Sequence, residues 1–184
     1  VTIPYKEQII PLLDGLSPEA KEIKAVNTVK IINGKLIGYN TDAVGFKKSL
    51  AAVFKPHHER ALILGSGGAS KAIGYTLGHL GVDYKMISRR PVGDELGYHD
   101  LNKYVVKHFP LIINTTPLGT FPEVDKYPDI PYEYLTPLNL LYDLVYNPEQ
   151  SLFLKKGEER GADTLNGYRM LVLQAEESWE IWNK

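Results

Sequence analysis

Residues 61–70 read Ala61-Leu62-Ile63-Leu64-Gly65-Ser66-Gly67-Gly68-Ala69-Ser70. Four apolar residues without a polar break are the pattern of a short strand buried on both faces, as in a parallel sheet. A glycine turn follows, and the stretch from about Lys71 to Leu80 is compatible with a helix. Buried strand, glycine turn and helix, in that order, open a dinucleotide-binding βαβ unit. In such a unit Gly65 permits the sharp turn and Gly67 lets a pyrophosphate approach the backbone. The helix start then offers unpaired N–H groups and its positive dipole end to that anion. Ser66, Gly68 and Ala69 complete the candidate cradle. Ser70 stands where the common fingerprint has its third glycine, so the motif alone also describes an ordinary glycine-rich loop.

Downstream, Asp83–Ser88 reads as a second strand that runs into Arg89-Arg90-Pro91. NAD-binding folds place an acidic residue here, about 20 positions after the glycines, to receive the ribose hydroxyls. Ser88, Arg89 and Arg90 suit the 2′-phosphate of NADP instead, because a guanidinium forms paired charged hydrogen bonds with phosphate. Solvated surface arginines are the alternative. Further strands are expected at 111–114 and 140–144, with a proline-rich ordered loop between Pro117 and Pro137. Helices are expected from Ser151 to about Arg160 and from about Gly167 to Trp182, whereas residues 92–108 carry weak signals.

Upstream, Val1-Thr2-Ile3-Pro4 reads as the end of a strand, and Ser17-Pro18 starts a short helix through Ile23. Residues 27–32 and 35–39 flank Asn33-Gly34, the signal of a type I′ hairpin. Asp42 can cap a helix through about Val53.

The 184 residues include no cysteine, which excludes disulfides, thiolate metal sites and a cysteine nucleophile. With 21 Lys+Arg against 22 Asp+Glu the net charge is −1, so no general attraction to nucleic acid or to an anionic membrane is expected. No apolar run approaches the roughly 20 residues of a membrane span, and a cytoplasmic location is expected. His57, His58, His79, His99 and His108 form no metal-binding or triad pattern, and Trp179 and Trp182 read as packing residues.

Seven strings then carry a family resemblance. Val1–Lys6, Ala25–Thr28, Gly38–Asp42, Gly65–Ser70, Asn114–Gly119, Asp143–Pro148 and Asn166-Gly167 through Met170-Leu171 to Gln174 resemble, in order, the motifs of shikimate dehydrogenases. The resemblance implies an α/β chain: a Rossmann-like NADP-binding domain over 42–165, and a partial α/β substrate domain over 1–41 completed by a C-terminal helix at 166–184. It implies reversible NADP-dependent reduction of 3-dehydroshikimate to shikimate in aromatic amino-acid biosynthesis. Lys6 takes the place of the general acid/base, with Asp42 beside it. Thr2, Asn27, Tyr146 and Gln174 take the places of substrate contacts, and Leu144 and Gly167 border the nicotinamide. Without the resemblance, Lys6 reads as a surface lysine and Asp42 as a helix cap.

The family's N-terminal segment, with its Ser-x-Ser motif for the substrate carboxylate, has no counterpart before Val1, so a longer parent protein is expected. The alternatives are a quinate/shikimate dehydrogenase using NAD and, for the chain as given, a nucleotide-binding module without turnover. No metal is implied, and a monomer or homodimer is expected.

Overall fold

The computed structural model describes all 184 residues and divides into two compact units. One comprises Val1–Val53, Gly67–Thr76 and Arg169–Lys184, and the other Phe54–Ser66 and Leu77–Tyr168.

The first unit holds a three-stranded sheet in the order β1-β3-β2, formed by β1 (Gly15–Leu16), β2 (Thr28–Ile32) and β3 (Lys35–Tyr39). Asn33 and Gly34 both adopt positive φ, as a type I′ turn requires, and they fix the antiparallel register that pairs Thr28 with Tyr39 and Ile32 with Lys35. Helix α1 (Pro18–Ile23) starts as the sequence predicts, with the Ser17 hydroxyl accepting the Ala20 amide. Two expectations fail here. Residues 1–4 form no strand but enter a run of turns, and the two-residue β1 is held in place by parallel pairing to β3. Helix α2 (Asp42–Leu50) has Asp42 as its first residue, not its cap; Asn40 instead accepts the Ala43 amide, which leaves the Asp42 carboxylate free for other partners.

The second unit is built on a six-stranded parallel sheet in the order β6-β5-β4-β7-β8-β9. Its strands are β4 (Arg60–Leu64), β5 (Asp83–Ser88), β6 (Leu96–Gly97), β7 (Leu111–Asn114), β8 (Leu140–Asp143) and β9 (Asp163–Leu165). Residues 61–64, 111–114 and 140–143 are entirely buried; 61–64 is apolar throughout, whereas Asn114 and Asp143 bring buried polar groups to the ends of the other two strands. Leu62, Leu64, Ile112 and Leu141 form the core with Phe153 and Leu154 of helix α5 (Leu152–Glu158) and with Val106 of helix α4 (Lys103–His108). Strand order reverses between β4 and β7, and at such a point an open parallel sheet leaves a crevice at the carboxyl ends of its strands.

Helix α3 (Gly68–His79) starts three residues earlier than the sequence suggests, directly after the glycine turn. Helix α6 (Tyr168–Asn183) closes the chain. Residues 42–53 and 67–76 group with the first unit. Trp179 and Trp182 are 63% and 53% exposed; they are not core residues, although the Trp182 indole donates to the Val29 carbonyl. No helix is long and apolar enough to cross a membrane.

His58 is the one histidine in the core. Its Nδ1 accepts the Lys55 amide at 3.0 Å, while Nε2 is buried without a partner. Burial, then the neighbouring His57 and Lys55 charges, lower its pKa from 6.5 to about 4. The unfolded chain therefore binds a proton that the native ring refuses, so this contribution to stability is complete above pH 6.5 and is lost as pH falls toward 4. The loss amounts to about 3 kcal/mol at most. Thermal melts of the parent and His58→Asn across this range check it: the difference between the two should change steadily with pH, and a constant offset would rule the effect out.

Candidate active site

In the first unit a polar cluster forms around Asp42. Lys6 Nζ donates to Asp42 Oδ2 at 2.6 Å, with the two side chains only 13% and 7% exposed. Asn27 Nδ2 donates to Asp42 Oδ1 at 3.0 Å and to Thr41 Oγ1 at 2.9 Å. The Thr41 amide in turn donates to Asn27 Oδ1 at 2.8 Å. Gln174 of α6 reaches the cluster through Oε1, 3.4 Å from Asn27 Nδ2, and its own amide donates to the Leu171 carbonyl. Both Asp42 oxygens are thus engaged, and the ammonium is held by a carboxylate that cannot turn without breaking the Asn27 bond. A pair so placed can hold a proton at Lys6 Nζ and deliver it to an oxygen beside it.

The backbone brings these residues together in steps. The Lys6 carbonyl accepts the Val26 amide, and the Asn27 amide donates to the Tyr39 carbonyl, so segments around 6, 27 and 41 are tied at the end of the hairpin. Lys6 also packs against the start of α3, where a Cβ at Gly68 would lie 3.1 Å from Lys6 Cβ. Beside it, Glu7 and Lys71 form an ion pair. Thr2 is exposed and outside the cluster. Sequence reasoning missed Ser178, which binds Thr28 at 2.7 Å and Thr41 at 3.0 Å. It lies one helical turn beyond Gln174, whose carbonyl it contacts, and that spacing was the available signal.

The glycine turn has the geometry that an approaching anion requires. Gly65 has φ +117°, and a Cβ there would come within 2.6 Å of Thr115 Oγ1. Around Gly67 a Cβ would meet nothing within 4 Å, so the backbone there is open, just before the first residue of α3. Ser70 is buried, and its hydroxyl donates to the Gly67 carbonyl, which explains how a serine replaces the third glycine.

At the end of β5, Arg89 and Arg90 are exposed and in no ion pair. The Ser88 hydroxyl donates to Glu95 Oε2 at 2.9 Å, and the Val92 amide donates to the same oxygen at 3.1 Å. A carboxylate therefore does stand at this strand end, brought back by the loop and invisible to a search 20 residues past the glycines. Leu144 and Gly167 adjoin each other: the Gly167 amide donates to Val145, and a Cβ on Gly167 would fall 2.1 Å from the Leu144 carbonyl oxygen. Tyr146 is 48% exposed.

A parallel sheet with this strand order and a glycine turn after its β4 strand define a Rossmann-type dinucleotide-binding protein. Comparison with known proteins narrows the class. The shikimate dehydrogenase substrate binding domain matches residues 1–29. The NADP(+) shikimate dehydrogenase of Desulforamulus reducens is 39% identical over 203 residues, covering 99% of this chain and 69% of the relative. That of Methanococcus vannielii is 40% identical over 201 residues, covering 99% and 70%. The crystal structure of shikimate 5-dehydrogenase from Thermus thermophilus, in complex with NADP(H) and shikimate, superimposes with a TM-score of 0.86 at 32% identity, covering 98% of this chain and 70% of that one. The chain belongs to the shikimate dehydrogenase family.

Proposed function

We propose that the protein catalyses the reversible NADP-dependent reduction of 3-dehydroshikimate to shikimate, with Lys6 as the general acid/base. The observation that carries this is the 2.6 Å Lys6–Asp42 pair, set among amide groups in a chain of this family. Bound NADPH supplies a hydride to the ring carbonyl carbon. Lys6 gives a proton from Nζ to the oxygen that becomes the alcohol, and in the reverse direction its neutral amine takes the hydroxyl proton. Asp42 holds the amine through Oδ2 and is itself held through Oδ1 by Asn27. Asn27, Gln174, Thr2 and Tyr146 offer donors and acceptors for the remaining hydroxyls. Gly65–Ala69 receive the pyrophosphate, Leu144 and Gly167 border the nicotinamide, and the enzyme is a cytoplasmic monomer or homodimer needing no metal.

Arg89 and Arg90 bind the 2′-phosphate. A second reading, use of NAD, draws on Glu95, whose charge stands beside Ser88 and opposes that phosphate. The protein supplied with shikimate and NADP+ should form NADPH, followed by its absorbance, and absence of turnover would count against the proposal. Removal of one guanidinium by Arg89→Ala should weaken NADP+ by about 10- to 100-fold, the loss of one or two charged hydrogen bonds. NAD+ should be affected much less. Equal losses for both cofactors would overturn the 2′-phosphate role.

A further inference from the structure

Asp143, at the end of β8, is completely buried, and no cation lies against it. Three donors converge on its carboxylate. Asn114 Nδ2 and the Val145 amide both donate to Oδ1, at 2.9 and 3.0 Å, and the Ser151 hydroxyl donates to Oδ2. Each donor belongs to a different feature. Asn114 ends β7, and its Oδ1 accepts both the amide and the hydroxyl of Thr116, at 3.0 and 2.7 Å, which folds the following loop back on the strand. Val145 is the second residue of the loop after β8, and Ser151 caps α5. One carboxylate therefore ties the loops after two adjacent strands to each other.

Burying a carboxylate with no cation beside it is costly, and burial pushes the carboxyl up to about 6, while its three hydrogen bonds act in the opposite sense. It serves as the one acceptor shared by three donors from three separate features. The loops it holds lie at the carboxyl ends of β7 and β8, the side on which an open parallel sheet binds its ligand. Thr115, between them and β4, donates through both its amide and its hydroxyl to the Leu64 carbonyl, just before the glycine turn.

We propose that Asp143 is a positioning residue for the reaction: it fixes the 114–118 and 144–148 loops in the arrangement that receives the reacting end of the cofactor. The proposal rests on the dehydrogenase reading above for its effect on turnover, but not for its effect on the loops. It acts through Asn114 and Val145 and touches neither cofactor nor substrate.

The test compares the parent, Asp143→Asn, Asp143→Ala, Asn114→Ala and the double alanine variant. Asparagine keeps an acceptor for Asn114 and the Val145 amide and changes only the Ser151 contact, so it should hold the loops and keep most of kcat, whereas alanine at 143 or 114 removes the tie. In the alanine variants amide hydrogen exchange should accelerate in 114–118 and 144–148 while β4 and β5 stay protected. Their kcat should fall about tenfold or more, because misplacement near 1 Å costs as much as a hundredfold. NADP+ binding should change less than about threefold, since the adenine end is held elsewhere. The double variant should be no slower than the worse single variant, as residues of one network are non-additive.

Unchanged exchange in the two loops of the alanine variants would overturn the proposal, as would faster loops with an unaltered kcat, or losses in kcat and cofactor binding of equal size. If the parent itself shows no turnover, the dehydrogenase reading fails, and hydrogen exchange still decides whether Asp143 holds the loops.

Discussion

Lys6→Ala should lower kcat by about 10²- to 10⁴-fold, the range that a positioned acid/base supplies, while NADP+ binding stays within about twofold. The substitution has a side effect that must be separated from chemistry. Asp42 keeps its Asn27 bond but loses the ammonium at 2.6 Å, and a nearly buried carboxylate left without its cation destabilises the first unit. A lower melting temperature is therefore part of the expected result. Lys6→Gln resolves the two effects, because the amide can still donate to Asp42 but cannot deliver a proton. Steady-state rates with shikimate and NADP+, beside melts of both variants, give the reading. Both should be slow, and the glutamine variant should recover much of the stability. A glutamine variant with near-parental kcat would show that Lys6 only props up Asp42.

The second large effect is expected at Gly167. A Cβ there would sit 2.1 Å from the carbonyl oxygen, 2.5 Å from the carbonyl carbon and 3.0 Å from the Cα of Leu144. All three are backbone atoms, so no rotamer change relieves the clash, and either the Leu144 segment or the start of α6 must move. Overpacking of this kind costs about 1–3 kcal/mol or more, which for a chain of this length lowers the melting temperature by roughly 3–10 °C. Because the displaced segment is the one proposed to border the nicotinamide, kcat for Gly167→Ala should fall by as much as about a hundredfold. Gly78→Ala is the control. It lies in α3 with nothing within 4 Å of its Cβ, and should gain about 0.5–1 kcal/mol from helix propensity without changing kcat. A Gly167→Ala protein that melts and turns over like the parent would mean that the close approach is not maintained in solution.

The parallel sheet is legible where strands are buried on both faces, because 61–64, 111–114 and 140–143 carry their signal in composition. Strands β1, β6 and β9 are not, since two or three residues have no period of their own and become strands only through a neighbour's pairing. The sequence places the start of α3 too late because three glycines in four positions argue against a helix, although the last of them begins one. The Lys6–Asp42 contact joins positions 36 apart, and no local pattern links them; only the family resemblance leads to it. Asp42 at the head of α2 looks like a cap by every local rule, and tertiary structure assigns its carboxylate elsewhere. Glu95 escapes for a related reason, since the loop after β5 returns an acid to the strand end from seven residues further on.

Gly68 has a consequence for anyone redesigning cofactor preference. The glycine run invites wholesale exchange with the loop of another dinucleotide-binding protein, on the supposition that every glycine in it serves the phosphates. Gly67 is open around its Cβ position, whereas the hydrogen of Gly68 also faces Lys6 Cβ and Ala25 Cβ, where a methyl would press at 3.1 and 3.4 Å. A transplanted loop carrying any larger residue there would press on Lys6, the proposed proton donor, as well as on the cradle. In libraries of this loop, position 68 is constrained by its contact with Lys6 and should be held constant.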